Sequence, residues 1–287
     1  MRSTEPGGAA IGYRPSRTLG VWVELARQLA RRRTKGAFAF LAVFPLLMVA
    51  AFAIGSEDSG GADARVTLVD VATNSALNFT LFVLFATTGF FLVVIYALFF
   101  GDTIASEAGW GSLRYLLAAP VPRARLLRQK FFVALLLGAA ALVLLTAVSL
   151  LAGTLFYGWG PVQTPVGITL TQGEALFRLS VIVGYLGFTL ITVGSLAFLF
   201  SVLTDAPLAA VGGAVFVMIV SSILEAINAL GPVRDFLPSA NQFAWIGTLS
   251  DPMQTGDMLS GALLTVVYGS VFSALAWWHF GRKDVLS

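Results

Sequence analysis

The sequence predicts an all-α membrane protein with six transmembrane helices. Three observations carry that prediction: composition, the spacing of charge-free runs, and the placement of Lys and Arg. Of 287 residues, 57% are hydrophobic and 11% charged, against about 25% charged in ordinary soluble domains. With 18 basic residues, 15 acidic ones and a single His, a soluble fold of this length could not clothe its surface. The same apolar content excludes disorder. There is no Cys, which removes disulfides, thiol nucleophiles and thiolate metal sites. The net charge of +3 is small and most basic residues are Arg, so no nucleic-acid partner is inferred.

A hydrocarbon core of about 30 Å takes about 20 apolar residues as a helix. Uncharged runs of that kind place spans at about 36–55, 77–101, 131–157, 177–203, 207–230 and 258–280. Residues 1–35 form a tail and a short helix before the first span, and 1–287 reads as a single transmembrane domain. The breaks at 57–74 and 158–173 are acidic or neutral and rich in Gly, Ser and Thr. The break at 231–256 has Pro232, Pro238 and Pro252 around an apolar middle, 243–249. By contrast, 102–130 is strongly basic, and the break at Asp205 is a tight turn ending at Pro207.

Orientation follows from the basic residues. With both termini, the 102–130 segment and the Asp205 turn on one side, only Arg65, Arg178 and Arg234 fall on the other. Lys and Arg concentrate on the cytoplasmic side of membrane proteins, so both termini are expected in the cytosol. The first 20 residues show no apolar h-region and no cleavage site, so no signal peptide is expected.

Before the first span, Val21, Trp22, Leu25, Ala26 and Leu29 share one helical face, with Glu24, Arg27, Gln28 and Arg31 opposite. Together with Arg32 and Arg33 this reads as a helix lying in the cytosolic interface. Trp22 would sit at headgroup level and the arginines would anchor on lipid. A plain positive-inside anchor is a compatible reading of the same residues.

Chemical motifs are sparse. No phosphate-binding G-x-x-x-x-G-K-[ST] loop, no H-E-x-x-H and no carboxylate-rich metal loop occurs. His279, beside Trp277 and Trp278, has no orienting partner nearby except Asp284 and reads as a polar anchor at the interface. No catalytic residue, metal ligand or cofactor is assigned to this chain, which is not expected to be an enzyme by itself. No acidic or basic residue falls in the middle of a span. Glu174 and Arg178 are spaced for a helical i,i+4 pair at the outer start of the fourth span, and Glu225 lies near the outer end of the fifth. A secondary carrier usually needs a midplane charge or broken helix, and neither is visible.

The segment 102–130 is the most informative. The second span runs on as a helix carrying Asp102 and Glu107 until Gly109 and Gly111 end it. Ser112 suits the N-cap of a short helix over 113–119, and Pro120 stops that helix. Pro122 suits the first turn of the next helix, whose Arg123, Arg125, Arg128 and Lys130 are expected to meet anionic headgroups. Exposed Leu and Tyr on the short helix ask for a protein partner.

These residues resemble the permease subunits of type-2 ABC transporters. Glu107, Gly111 with Ser112, Leu116 with Leu117, Pro120, Arg123 and Lys130 fall in the family's order, although the Gly109-Trp110-Gly111 run departs from it. The interfacial helix, the six spans, the tail from Phe280 and Leu237-Pro238 before Trp245 also match, so the resemblance covers essentially the whole chain. It implies an exporter in which two permeases, as a homodimer or a paralogous heterodimer, work with two copies of an ATP-binding subunit that holds ATP and Mg. It also implies that Glu107, Ser112, Leu113, Arg114, Leu117 and Pro120 couple to that subunit. Arg27, Arg31 and Arg32 are possible further contacts, with lipid anchoring preferred for them as for Trp22 and Arg33. The location implied is a bacterial cell membrane and the cargo hydrophobic or amphipathic. A carrier or channel, or a sensor that moves no substrate, is the alternative.

Overall fold

The computed structural model describes residues 20–58, 68–109, 123–163 and 169–282. Helix α1 (Val21–Ala30) is separated from α2 (Arg32–Asp58) by Arg31 in an extended conformation. A short α3 (Leu68–Thr73) leads to α4 (Ala76–Thr88) and α5 (Phe91–Gly109). Then comes α6 (Arg123–Phe156), one unbroken helix of 34 residues. Two-residue strands β1 (Val162–Gln163) and β2 (Thr169–Leu170) pair antiparallel, Val162 opposite Leu170. Helices α7 (Gln172–Thr189) and α8 (Ile191–Leu203) form one apolar run. After α9 (Pro207–Glu225), 3-10 turns over Asn228–Phe236 and Ala244–Leu249 precede α10 (Gly256–Arg282). Among the described residues, six stretches are long and apolar enough to cross a bilayer: Arg32–Gly55, Phe91–Gly109, Arg123–Phe156, Gln172–Leu203, Pro207–Glu225 and Gly256–Arg282. The fold is the expected six-span all-α membrane protein.

Three spans differ in detail from the sequence reading; the fourth, expected as one helix over 177–203, is broken at Leu190 between α7 and α8. The second, expected as an unbroken helix over 77–101, is interrupted at Gly89 and Phe90. Thr87 and Thr88 hydroxyls donate back to the carbonyls of Val83 and Leu84, a pattern that bends helices. The Thr88 carbonyl is taken by Gln242 Nε2 at 2.7 Å. The helix of the fifth span ends at Glu225 rather than near 230: Ile227 is extended (φ −87°, ψ 100°), and the chain continues as 3-10 turns with Gly231 at φ 54°.

Helix α5 is the axis of the bundle, packed by α6, α8 and α9, while α10 lies on α8 and α2 on α6. Close approach depends on glycine at two points. A Cβ at Gly153 of α6 would sit 2.8 Å from the Ala76 Cα, and one at Gly109 would sit 2.8 Å from the Asp205 carbonyl oxygen. The second contact sets the end of α5 against the α8–α9 turn. Arg123 Nη1 donates to the Gly281 carbonyl at 3.1 Å, bringing α6 and α10 to the same end. The start of α2, the end of α5, the start of α6, the Asp205 turn and the end of α10 therefore share one end of the bundle, the basic one. The strands and 3-10 turns occupy the other. Val43, Leu47, Val143, Leu155, Phe216 and Leu263 are exposed on the flanks, as lipid-facing positions should be.

Candidate functional site

At the basic end, α1 turns its polar face inward. Glu24 and Gln28 are buried, whereas Trp22 is 80% exposed and Val23 is open as well. In water such a helix would be inside out, and it makes sense only where the exposed face meets lipid or protein. Across from Glu24 stands Lys130, on the second turn of α6 and 0% exposed. Its Nζ donates to Glu107 Oε1 at 2.6 Å, to the Thr103 carbonyl at 3.2 Å and to Glu24 Oε1 at 3.3 Å. Three acceptors satisfy an ammonium group completely. That is the condition for keeping it charged in a dry site.

Arg27 closes the group. Its Nη2 lies 2.6 Å from Glu24 Oε2 and also donates to Glu107 Oε1, so Glu107, 1% exposed, is held from α1 and α6 together. Gln28 Nε2 donates to Glu24 Oε1 at 3.0 Å. Burial pushes the Glu24 carboxyl up, but Lys130, Arg27 and Gln28 outweigh it and hold the group at about 2. Burial likewise works against charge on Arg27, and Glu107 and Glu24 overcome it and raise its pKa.

One turn earlier on α5, Asp102 forms a second node. Arg31 Nη1 donates to Asp102 Oδ2 at 2.5 Å and to Ser106 Oγ at 2.9 Å, while Arg33 Nη1 donates to Asp102 Oδ1 at 2.8 Å. Four cations and three carboxylates thus tie α1, α2, α5 and α6 together where α5 hands over to residues 110–122. Nearby, Ser201 Oγ of α8 accepts from the backbone N–H groups of Ile104 and Ala105, which docks the same stretch of α5 onto α8. Nothing here positions a nucleophile beside a base. The arrangement is mechanical: it fixes the relative placement of four segments.

The expected site residues fall in three groups. Glu107, Arg27, Arg31 and Arg33 come together. Trp22 and Arg32 are exposed outside the cluster. Ser112, Leu113, Arg114, Leu117 and Pro120 lie outside the described residues. Three expectations are corrected: Lys130 does not face headgroups but is sealed within the protein against Glu107 and Glu24, and Arg27, expected to anchor on lipid, pairs with Glu24 and Glu107. Arg31, expected to anchor on lipid, is turned onto Asp102, its side chain only 13% exposed. Sequence reasoning missed Lys130 and Glu24 as partners. The signal was partial: Glu24 and Gln28 stand one helical turn apart on one face and two acids close a long apolar run, which groups these residues without saying what they face.

Six apolar helical stretches with a buried ionic knot at one end define a multi-pass membrane protein whose charges at that end brace its helices. The chain belongs to the ABC-2 family of transporters: the family described as ABC-2 family transporter protein matches residues 21–285, from the first residue of α1 to just beyond α10. It is also similar to YhcI, an uncharacterized protein of Bacillus subtilis (strain 168), at 26% identity over 232 residues, 78% of this chain and 71% of the relative. A multi-pass protein of a bacterial membrane, related to membrane subunits that work with an ATP-binding partner, is the description these findings support.

Proposed function

We propose that the chain is the membrane subunit of an ATP-driven exporter. Two permeases, identical or paralogous, form the path, and two copies of a separate ATP-binding subunit supply ATP, Mg and hydrolysis. Both termini and the 102–130 segment face the cytosol. Segment 110–122 docks on the ATP-binding subunit through Ser112, Leu113, Arg114 and Leu117, with Pro120 ending the docking turn. Glu107 acts from beneath that segment. The single observation that carries this reading is its burial against Lys130 and Arg27, immediately before residue 110. Any displacement of the docked segment is thereby passed to α1, α2 and α6 rather than absorbed by a loose loop. The exposed apolar face of α1 supports an interfacial position, with Trp22, Arg32 and Arg33 near lipid headgroups. Spans without a charge at mid-depth suit hydrophobic or amphipathic cargo.

The test is co-expression with an ATP-binding subunit encoded beside this chain. Leu117→Asp puts a carboxylate into an apolar contact. Losing a packed Leu costs ~2–5 kcal/mol, and the unpaired charge adds several more. Complex formation and stimulated ATP hydrolysis should therefore collapse while the variant still inserts in the membrane, and Ser59→Asp should leave both intact. Unchanged subunit binding and transport in Leu117→Asp would overturn the proposal.

A further inference from the structure

Two spans break beside one another. The second is interrupted after Thr88 and the fourth at Leu190, and both breaks border one cavity of about 20 Å³. Thr265 of α10 and Gln242, from the segment between the two 3-10 turns, close its other sides. Met218, also on its wall, stands about 10 Å along α9 from the helix end at Glu225. The cavity therefore lies inside the membrane-spanning region. It is far below the ~300–1,000 Å³ of small-molecule sites. A single water molecule needs roughly 10–15 Å³ and two to four polar partners, so the size fits one water.

The chemistry of the wall fits as well. It is part polar, and Thr192 and Thr265, which both line it, keep 3% and 4% of their surface open; Gln242 is half-buried. Thr192 Oγ1 donates to Thr265 Oγ1 at 3.3 Å, longer than the ~2.5–3.0 Å usual for hydroxyl pairs. Thr265 Oγ1 in turn donates to the Gly261 carbonyl at 2.9 Å. With their protons committed, these hydroxyl oxygens retain lone pairs that accept. Gln242 Nε2 carries two N–H groups, and the Thr88 carbonyl takes one at 2.7 Å. A water that donates to both threonines and accepts from Gln242 has three partners. Among the described residues no charged side chain lines the cavity, which favours a neutral occupant over an ion. Broken spans are tolerated where hydroxyl groups and ordered water satisfy the backbone around the break.

We propose that this cavity holds one ordered water molecule, hydrogen-bonded to Thr192, Thr265 and Gln242. It joins two pairs, Thr192 with Thr265 and Gln242 with Thr88, into one network that ties both broken spans to α10 and to the segment 237–243. The inference rests on the packing of the spans and not on the export reading.

Two measurements on the full chain test it. The first is a structure of the unmodified protein in lipid nanodiscs at a resolution that resolves ordered water. One peak should lie within ~2.7–3.2 Å of Thr192 Oγ1, Thr265 Oγ1 and Gln242 Nε2. An empty cavity, or a peak ringed by oxygens at the ~2.0–2.6 Å of a bound metal ion, would overturn the proposal. The second is hydrogen exchange in Thr265→Val, which keeps the shape and loses the hydroxyl, beside Thr265→Ser, which keeps the hydroxyl. Among the described residues the Thr265 hydroxyl bonds directly to Thr192 and Gly261, not to 237–243. The amides of Ser239, Ala240 and Gln242 are hydrogen-bonded within their own surroundings. They should exchange about tenfold faster in Thr265→Val, because only the water connects them to that hydroxyl, and should be unchanged in Thr265→Ser. Unchanged exchange in Thr265→Val, or equal loosening in both variants, would overturn the proposal.

Discussion

The two ends of the bundle each bury a basic side chain, and they satisfy it in different ways. At the basic end, Lys130 is held by carboxylates from α1 and α5, 106 and 23 residues away in sequence. At the opposite end, Arg178 pairs with Glu174 one turn back on its own helix. It gives its other donors to the backbone carbonyls of Thr248 and Ser250. The first arrangement joins remote helices through charge against charge, so each member leaves another buried and unpaired when it goes. The second joins a charged side chain to neutral backbone and anchors one loop. Rigidity shared among helices belongs to the basic end, and local attachment of a cover belongs to the other.

The largest effect that would sharpen this contrast is expected for Lys130→Met. Removing one partner of a buried ionic group costs ~3–5 kcal/mol, read as a drop in thermal stability in detergent. Combining it with Glu107→Leu should cost less than the two single changes added together, since coupled partners are not additive. Strict additivity would break the idea of a shared network.

Acid titration comes next. Glu24 is held at about 2 against an ordinary 4.5, a depressed carboxylate. Its contribution is therefore fully present above about pH 4.5 and is lost as pH falls toward 2. Hydrogen exchange of α1 should accelerate across that window, and in Glu24→Gln this pH dependence should flatten.

At the opposite end, Arg178→Gln forfeits charge-assisted hydrogen bonds worth ~1.5–3 kcal/mol. The damage should stay local, with faster exchange over 244–250 and little change in α5. Global destabilisation there would erase the distinction between the two ends.

The smallest change is Arg33→Gln. This side chain is 58% exposed, so its pair with Asp102 is worth ~0–1 kcal/mol and should fade with added salt. Arg31→Gln, on the same carboxylate but nearly enclosed, should cost more in the same assay.

The six spans were legible because lipid leaves few ways to hide a backbone, and length and composition betray a crossing helix. The polar face of α1 was legible too, as Glu24, Arg27 and Gln28 fall together by helical period. Its direction was not, because the period is the same whether the face meets water or Lys130. The break after Thr88 escaped for a related reason: the group that completes the Thr88 carbonyl is Gln242, 154 residues on. Likewise the Glu174–Arg178 pair could be read from spacing, whereas the carbonyls that Arg178 also holds depend on how a distant turn folds back. Local patterns announce themselves in sequence. Partners supplied by another segment do not.

Helix α6 has one consequence beyond its role in packing. It runs without a break from Arg123 to Phe156, carrying Lys130 in the ionic knot and, 23 residues later, Gly153 pressed on the backbone of Ala76. At 1.5 Å per residue those two points are about 35 Å apart along a stiff rod. A tilt of about 5° pivoting at Lys130 swings Gly153 by about 3 Å, roughly two residues' rise. Such a swing would press on the start of α4, so α6 couples the two ends of the bundle as one stiff element.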